Sequence, residues 1–240
     1  MKKLLLISPI LLLCTACNQM GWNIKPSGEI VTDTLNIKSY TTLLNNSSAN
    51  VEMDSNVKEN QIVLIGDKNF VENLDIKNEG DDLDIKNKKR ASFNTSSSPL
   101  IVKINNPNLQ KVMIAGSGSI ATNNVVLTTD IEFHISGAGE INVDLFNNAT
   151  SIFLSGAGNI NLRGTTSELK AIMTGAGSLN AEKLRNQTSL IEISGAGSAK
   201  INTTDEINVK ISGIGNLDYK KYDQLKVVQK ISGIGNVGAY

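Results

Sequence analysis

Cysteine, histidine, aromatic residues and excess charge are all scarce in this chain. Only two cysteines occur, Cys14 and Cys17, three positions apart, so no disulfide framework can be built. One histidine beside them leaves too few ligands for a zinc site. Lysine plus arginine number 23 and aspartate plus glutamate number 23. With no basic excess to neutralise phosphates, a nucleic-acid partner is not expected. The only long apolar run lies at the extreme N-terminus, which excludes a multi-pass membrane protein. What remains is an Asn-, Ser-, Thr- and Gly-rich chain of 240 residues, enough for one large or two modest domains.

The N-terminus reads as an address. Met1-Lys2-Lys3 is cationic, Leu4 to Leu13 is a short apolar stretch broken by Ser8 and Pro9, and small Thr15 and Ala16 precede Cys17. This is the pattern of a cleaved export signal, too short to span a bilayer. It resembles the lipobox of bacterial lipoproteins, in which the cysteine thiol takes a diacylglycerol and becomes the mature N-terminus. Cys14 departs from that pattern, since leucine is usual there. Residues 1–16 are therefore read as a lipoprotein signal peptide and Cys17 as the lipidated residue. Residues 17–30, with Pro26-Ser27-Gly28, are read as a tether. Each inserted acyl CH₂ contributes about 0.8 kcal/mol, so two or more chains hold the protein to a membrane. Asn18 rather than aspartate follows the cysteine, and the resemblance then implies sorting to the outer membrane, with the protein on its periplasmic face or at the cell surface.

A repeat dominates the rest. Gly-x-Gly begins at Gly116, Gly137, Gly156, Gly175, Gly195, Gly213 and Gly233, at spacings of 21, 19, 19, 20, 18 and 20. A period near twenty marks a solenoid or array. Two residues before each first glycine stand Ile114, Ile135, Leu154, Met173, Ile193, Ile211 and Ile231. Four after it stand Ile120, Ile141, Ile160, Leu179, Ala199, Leu217 and Val237. Apolar residues alternate with others on both sides of the glycines, which is the signal of short strands. Each repeat reads as strand, Gly-x-Gly corner, strand and polar loop. Propeller blades need about 40 to 45 residues and are too long. The expected fold is all-β, a right-handed parallel β-helix (β-solenoid) with about 20 residues per coil. Equivalent positions then stack into buried columns, and the glycines turn corners where a Cβ would clash or φ is positive.

Residues 111–240 form the regular coils. The stretch 31–110 has no Gly-x-Gly, although Val51 to Met53, Gln61 to Ile65, Leu74 to Lys77, Leu83 to Lys86 and Leu100 to Ile104 read as strands. It is taken as irregular first coils of the same 31–240 domain, closing its N-terminal end. The repeated "SGAGEIN", "SGAGNIN", "TGAGSLN", "SGAGSAK" and "SGIGNL" resemble the head-GIN-domain family of auto-transporter adhesins. So do the upstream "IVLIGDKNFVENLDIKNEGDDLDIKN", with its Gly66-Asp67-Lys68-Asn69 turn, and the closing "QKISGIGNV". The resemblance covers roughly Ile30 to Tyr240. It implies an exported protein, often a lipoprotein, with a β-helical fold and no catalytic motif to carry over.

Candidate surfaces follow from strand parity. Three before the glycine, on the outward face, stand Met113, His134, Phe153 and Ile172, continued by Glu192, Lys210 and Lys230. The first four make a largely apolar stripe roughly 15 Å long at the strand spacing, either a partner surface or a surface covered by the N-terminal segment or a long loop. Five after the glycine, Asn142, Asn161 and Asn180 make a polar column, either a sugar-binding face or a hydrogen-bonded ladder. Catalysis finds no support. Glu140 has Ser119 and Asn159 beside it in its column, Asp81-Asp82 and Asp205-Glu206 sit in loops or between strands, and no nucleophile elbow occurs. No cofactor or metal is expected. The chain reads as a non-enzymatic, lipid-anchored envelope protein presenting a binding or adhesion surface, with a glycan or a cell-surface protein as candidate partner. A self-associating structural protein and a carbohydrate-active enzyme are the alternatives.

Overall fold

The computed structural model describes residues 22–88, 91–95, 98–124 and 126–240. Cys17 and the expected signal peptide lie outside them. The first elements are β1 (Trp22–Ile24), β2 (Ile30–Asn36), β3 (Thr42–Asn46), β4 (Asn50–Met53), β5 (Gln61–Asp67), α1 (Lys68–Glu72), β6 (Leu74–Glu79), β7 (Asp82–Asn87), β8 (Ala91–Phe93) and β9 (Leu100–Ile104). The coils follow as β10 (Lys111–Ile114), β11 (Ser119–Thr122), β12 (Val126–Leu127), β13 (Asp130–Ile135), β14 (Glu140–Phe146), β15 (Ala149–Leu154), β16 (Asn159–Thr165) and β17 (Glu168–Met173). The last are β18 (Ser178–Ile193), β19 (Ser198–Ile211), β20 (Ile214–Tyr219), β21 (Lys226–Ile231) and β22 (Ile234–Ala239).

Two parallel sheets meet at the glycine corners. The first stacks β7, β3, β10, β13, β15, β17, the ends of β18 and β19, and β21. The second stacks β9, β4, β11, β14, β16, the beginnings of β18 and β19, β20 and β22. The register places Ile114, Ile135, Leu154, Met173, Ile193, Ile211 and Ile231 directly over one another. All but the last are buried. Each fully buried side chain of this size contributes about 1.5–3 kcal/mol, so the column is the spine of the core.

The corner glycines are required by space and not by φ. Among the described residues, positive φ at glycine occurs only at Gly28, Gly80 and Gly164. A Cβ on Gly137 would lie 2.1 Å from the carbonyl oxygen of Gly116, and one on Gly156 2.0 Å from that of Gly137. The second glycine is constrained by the core as well: a Cβ on Gly139 would meet Ile114 Cγ2 at 2.5 Å. Close approach lets the corners hydrogen-bond from coil to coil, as in Ala157 N–H to Gly137 O at 3.0 Å and Ala176 N–H to Gly156 O at 3.0 Å.

The N-terminal third combines coil-like stacking with antiparallel pairing. Strands β3 and β4 take the two sheet positions of a coil, and so, outside them, do β7 and β9. Strand β5 runs antiparallel to both β2 and β9, and β6 and β7 make an antiparallel hairpin. The first corner is Ser47-Ser48-Ala49, without glycine. Each glycine-corner Cβ points at the preceding corner, and the connection between β7 and β9 contains no Gly-x-Gly. Asn45 occupies the apolar column there, fully buried. Its amide donates to Ala49 O at 2.9 Å and accepts from the Ser47 hydroxyl at 2.7 Å.

Within the expected 17–30 tether, the described residues from Trp22 onward make pairing contacts with the domain. Strand β1 pairs in parallel with β8. Asp67, inaccessible to solvent and N-cap of α1, accepts hydrogen bonds from Ser27 N–H at 2.9 Å, Gly28 N–H at 2.8 Å and Asn69 N–H at 2.9 Å. Burial works to raise its pKa, but these donors outweigh it and hold the carboxyl below the usual carboxylate range. The segment after Trp22 is thus fastened to the cap.

Candidate binding surface

Apart from β8, which pairs with β1, the strands of 30–104 extend the two sheets edgewise. Paired at the edge, these described strands do not lie over the outward face of the first sheet. Met113, His134, Phe153 and Ile172 are neighbours across β10, β13, β15 and β17, as their parity requires, and all four are half-buried. Leu44 of β3 extends the stripe at one end, and Glu192 of β18 ends it at the other. The His134 and Phe153 rings stack with centroids 4.5 Å apart and planes 19° apart. His134 Nε2 lies 3.0 Å from Glu132 Oε2. Lys170 Nζ sits 5.8 Å from the Phe153 centroid, within range of a weak cation–π contact. The stripe therefore has an aromatic middle with charged groups beside it.

An open groove of about 1080 Å³ runs alongside. Lys111, Glu132 and Ser151 line it, each two residues before a member of the stripe. Thr42, Gln110, Asp130 and Asn148 add polar groups, and Phe146 stands at its side 63% exposed. The parity of single strands pointed to the stripe. The groove escaped sequence reasoning because its walls come from four segments, around 41–42, 107–111, 128–132 and 146–151, which only the coil stack brings together.

The polar column is hydrogen-bonded at one of its two steps. Asn142, Asn161 and Asn180 are in register on β14, β16 and β18. Asn161 donates its amide to Asn142 Oδ1 at 2.8 Å, while Asn180 Oδ1 accepts from Glu182 N–H at 3.3 Å. Glu140 has Ser119 and Asn159 as its strand neighbours. Among the described residues no group of three His, Cys, Asp or Glu side chains is placed to hold a metal, and no helix is long and apolar enough to cross a membrane.

Residues 23–222 match the family described as "Putative auto-transporter adhesin, head GIN domain". The chain belongs to this family. A solved structure described as a putative adhesin from Bacteroides fragilis NCTC 9343 aligns with a TM-score of 0.82 at 20% identity, covering 92% of this chain and 100% of that one. One from Parabacteroides merdae ATCC 43184, described likewise, aligns at 0.63 and 21% identity, covering 91% and 99%. A structure from Parabacteroides distasonis ATCC 8503 described as a putative lipid binding protein aligns at 0.70 and 18% identity, covering 91% and 100%. At these identities the likeness establishes the head GIN fold, a β-solenoid. A comparison with curated proteins finds no match. Membership points to a protein of the cell envelope or surface.

Proposed function

We propose that this head GIN protein is a non-enzymatic adhesin, anchored to the outer membrane through lipid on Cys17, whose contact surface is the stripe Met113, His134, Phe153 and Ile172 with the adjoining groove. The ligand class is a glycan. The observation that carries the reading is the half-buried aromatic stripe, uncovered among the described residues, beside a groove of amides, hydroxyls and carboxylates. Sugars present both C–H faces and hydroxyls, so they suit sites in which a few placed polar groups flank aromatic rings. The family description supports adhesion rather than catalysis, and the candidate carboxylates support it too: Asp205 is exposed and Glu206 is engaged by Lys226 at 3.2 Å.

The double variant Phe153→Ser with Ile172→Ser tests the surface. Both side chains are half-buried on an outer face, so the melting temperature should fall only slightly while binding on a glycan array is lost. Retained binding would remove the stripe from the site. A large loss of stability would make it packing surface. The anchor is tested separately: Cys17→Ser should move the protein from the membrane fraction to the aqueous phase in detergent partitioning, and unchanged membrane retention would refute lipidation at Cys17.

A further inference from the structure

Strands β21 and β22 form the last coil, and each pairs on one side only, with β19 and β20. One coil earlier the corner backbone is used on both sides. Ile211 O accepts from Ser232 N–H at 2.9 Å, and Gly213 O accepts from Ile234 N–H at 2.9 Å. The equivalent carbonyls of Ile231 and Gly233 have no further coil to meet among the described residues. The core opens at the same place: Ile211 is 0% exposed and Ile231 40%. The middle residue of the corner is Ser117, then Ala138, Ala157, Ala176 and Ala196, but Ile214 and Ile234 in the last two coils, 63% and 76% exposed. Unused backbone groups and apolar exposure therefore coincide at this end.

The opposite end is built differently. Its outer strands are β6, with Asp75, Lys77 and Glu79, and β2, with Asp33. Charges on an edge strand oppose pairing with another chain. β22 carries no charge. β21 has Lys226 and Lys230, and Lys226 is engaged by Glu206 of the preceding coil at 3.2 Å.

We propose that the C-terminal end is a homodimer interface in which the last coils of two copies pair antiparallel about a twofold axis at the Gly233 corner. Strand parity selects this axis. Residues equidistant from Gly233 face the same way: Ile231 and Gly235, Gln229 and Val237, Val227 and Ala239 all have inward parity. A twofold at Gly233 lays β21 of one copy against β22 of the other, twice over, with these residues opposite each other. On the outer side Lys230 meets Asn236 of the second copy and Val228 meets its Gly238, so no like charges are opposed. The free carbonyls gain partners, and Ile231 is covered. Ile214 and Ile234 of both copies join into one apolar ridge. Such a self-complementary contact closes on itself and makes a dimer rather than a fibre. It holds whether or not the sheet face binds a glycan.

Cysteine cross-linking tests the register. In the full chain carrying Cys14→Ser and Cys17→Ser, one preparation takes Val228→Cys and a second Gly238→Cys. Val228 is 46% exposed, and a Cβ at Gly238 meets nothing nearer than 3.3 Å, so both should fold. Residues opposite each other in an antiparallel pair have Cβ atoms about 4.5–5.5 Å apart. Mild oxidation of the mixture should give a disulfide-linked dimer, and either preparation alone should give little. Sedimentation of the parent chain should show a monomer–dimer equilibrium that Ile234→Lys shifts to monomer. No cross-link in the mixture would overturn the proposal. So would equal cross-linking in the separate preparations, or species larger than a dimer.

Discussion

Gly175→Ala is expected to disrupt the solenoid, whereas Gly238→Ala leaves it intact. A Cβ on Gly175 would lie 1.9 Å from Gly156 O and 2.6 Å from Ser155 O, both backbone atoms of the preceding corner. Neither can swing aside as a side-chain end could. Separating the two coils would relieve the overlap, but the Ala176 N–H to Gly156 O bond and the strand pairing on both sides oppose it. Overpacking of this kind costs about 3 kcal/mol or more, equivalent to a fall in Tm on the order of 10 °C for a domain of this size. At Gly238 the nearest neighbour is the movable Asn236 amide at 3.3 Å. Thermal melts of the two variants check this, and equal melting temperatures would show that the corners can spread.

Ile193→Asp should abolish folding while Glu192→Ala is nearly silent. Ile193 is 1% exposed and stacks between Met173 and Ile211, with its Cγ2 where a Cβ on Gly215 would lie 2.6 Å away. A carboxylate there has no cationic partner in its column. Burying it costs several kcal/mol, comparable to the whole stability of a domain. Glu192 is the next residue, but it points to the outer face between Ile172 and Lys210. Its truncation should stay within about 0.5 kcal/mol. Circular dichroism of both proteins at room temperature separates the outcomes, and a folded Ile193→Asp protein would mean that the assigned strand parity is reversed.

The regular coils were legible because each repeat states the same instruction. Period-two alternation around Ile135, Ile193 or Ile141 fixes the strand and its inner face, and the spacing of twenty stacks it on its neighbour. The cap was less legible. The strands at Gln61, Leu74 and Leu83 were readable one by one, but no repeat told parallel from antiparallel pairing. β1 and β8 are three residues each, too short for alternation to register. Asn45 replaces an isoleucine of the column, and its role appears only once the missing glycines of the first corner are understood. Asp67 was legible as part of a family turn, not as the residue that fastens Ser27 and Gly28. At the site, the stripe of Met113, His134, Phe153 and Ile172 came from parity alone, whereas the groove depends on loops far apart in sequence.

The hydrogen bonds between coils run along the solenoid axis, from one Gly-x-Gly corner to the next and between stacked strands. A load applied between the two ends of the stack therefore pulls along these bonds and not across them. It falls first on one terminal coil instead of being shared by every rung. Yielding one coil frees about twenty residues, or roughly 70 Å of extended chain, while the remaining coils keep their stacking. Under tension the same repeat that builds the fold makes it a stepped extensible linker, which dissipates work coil by coil before it lets go.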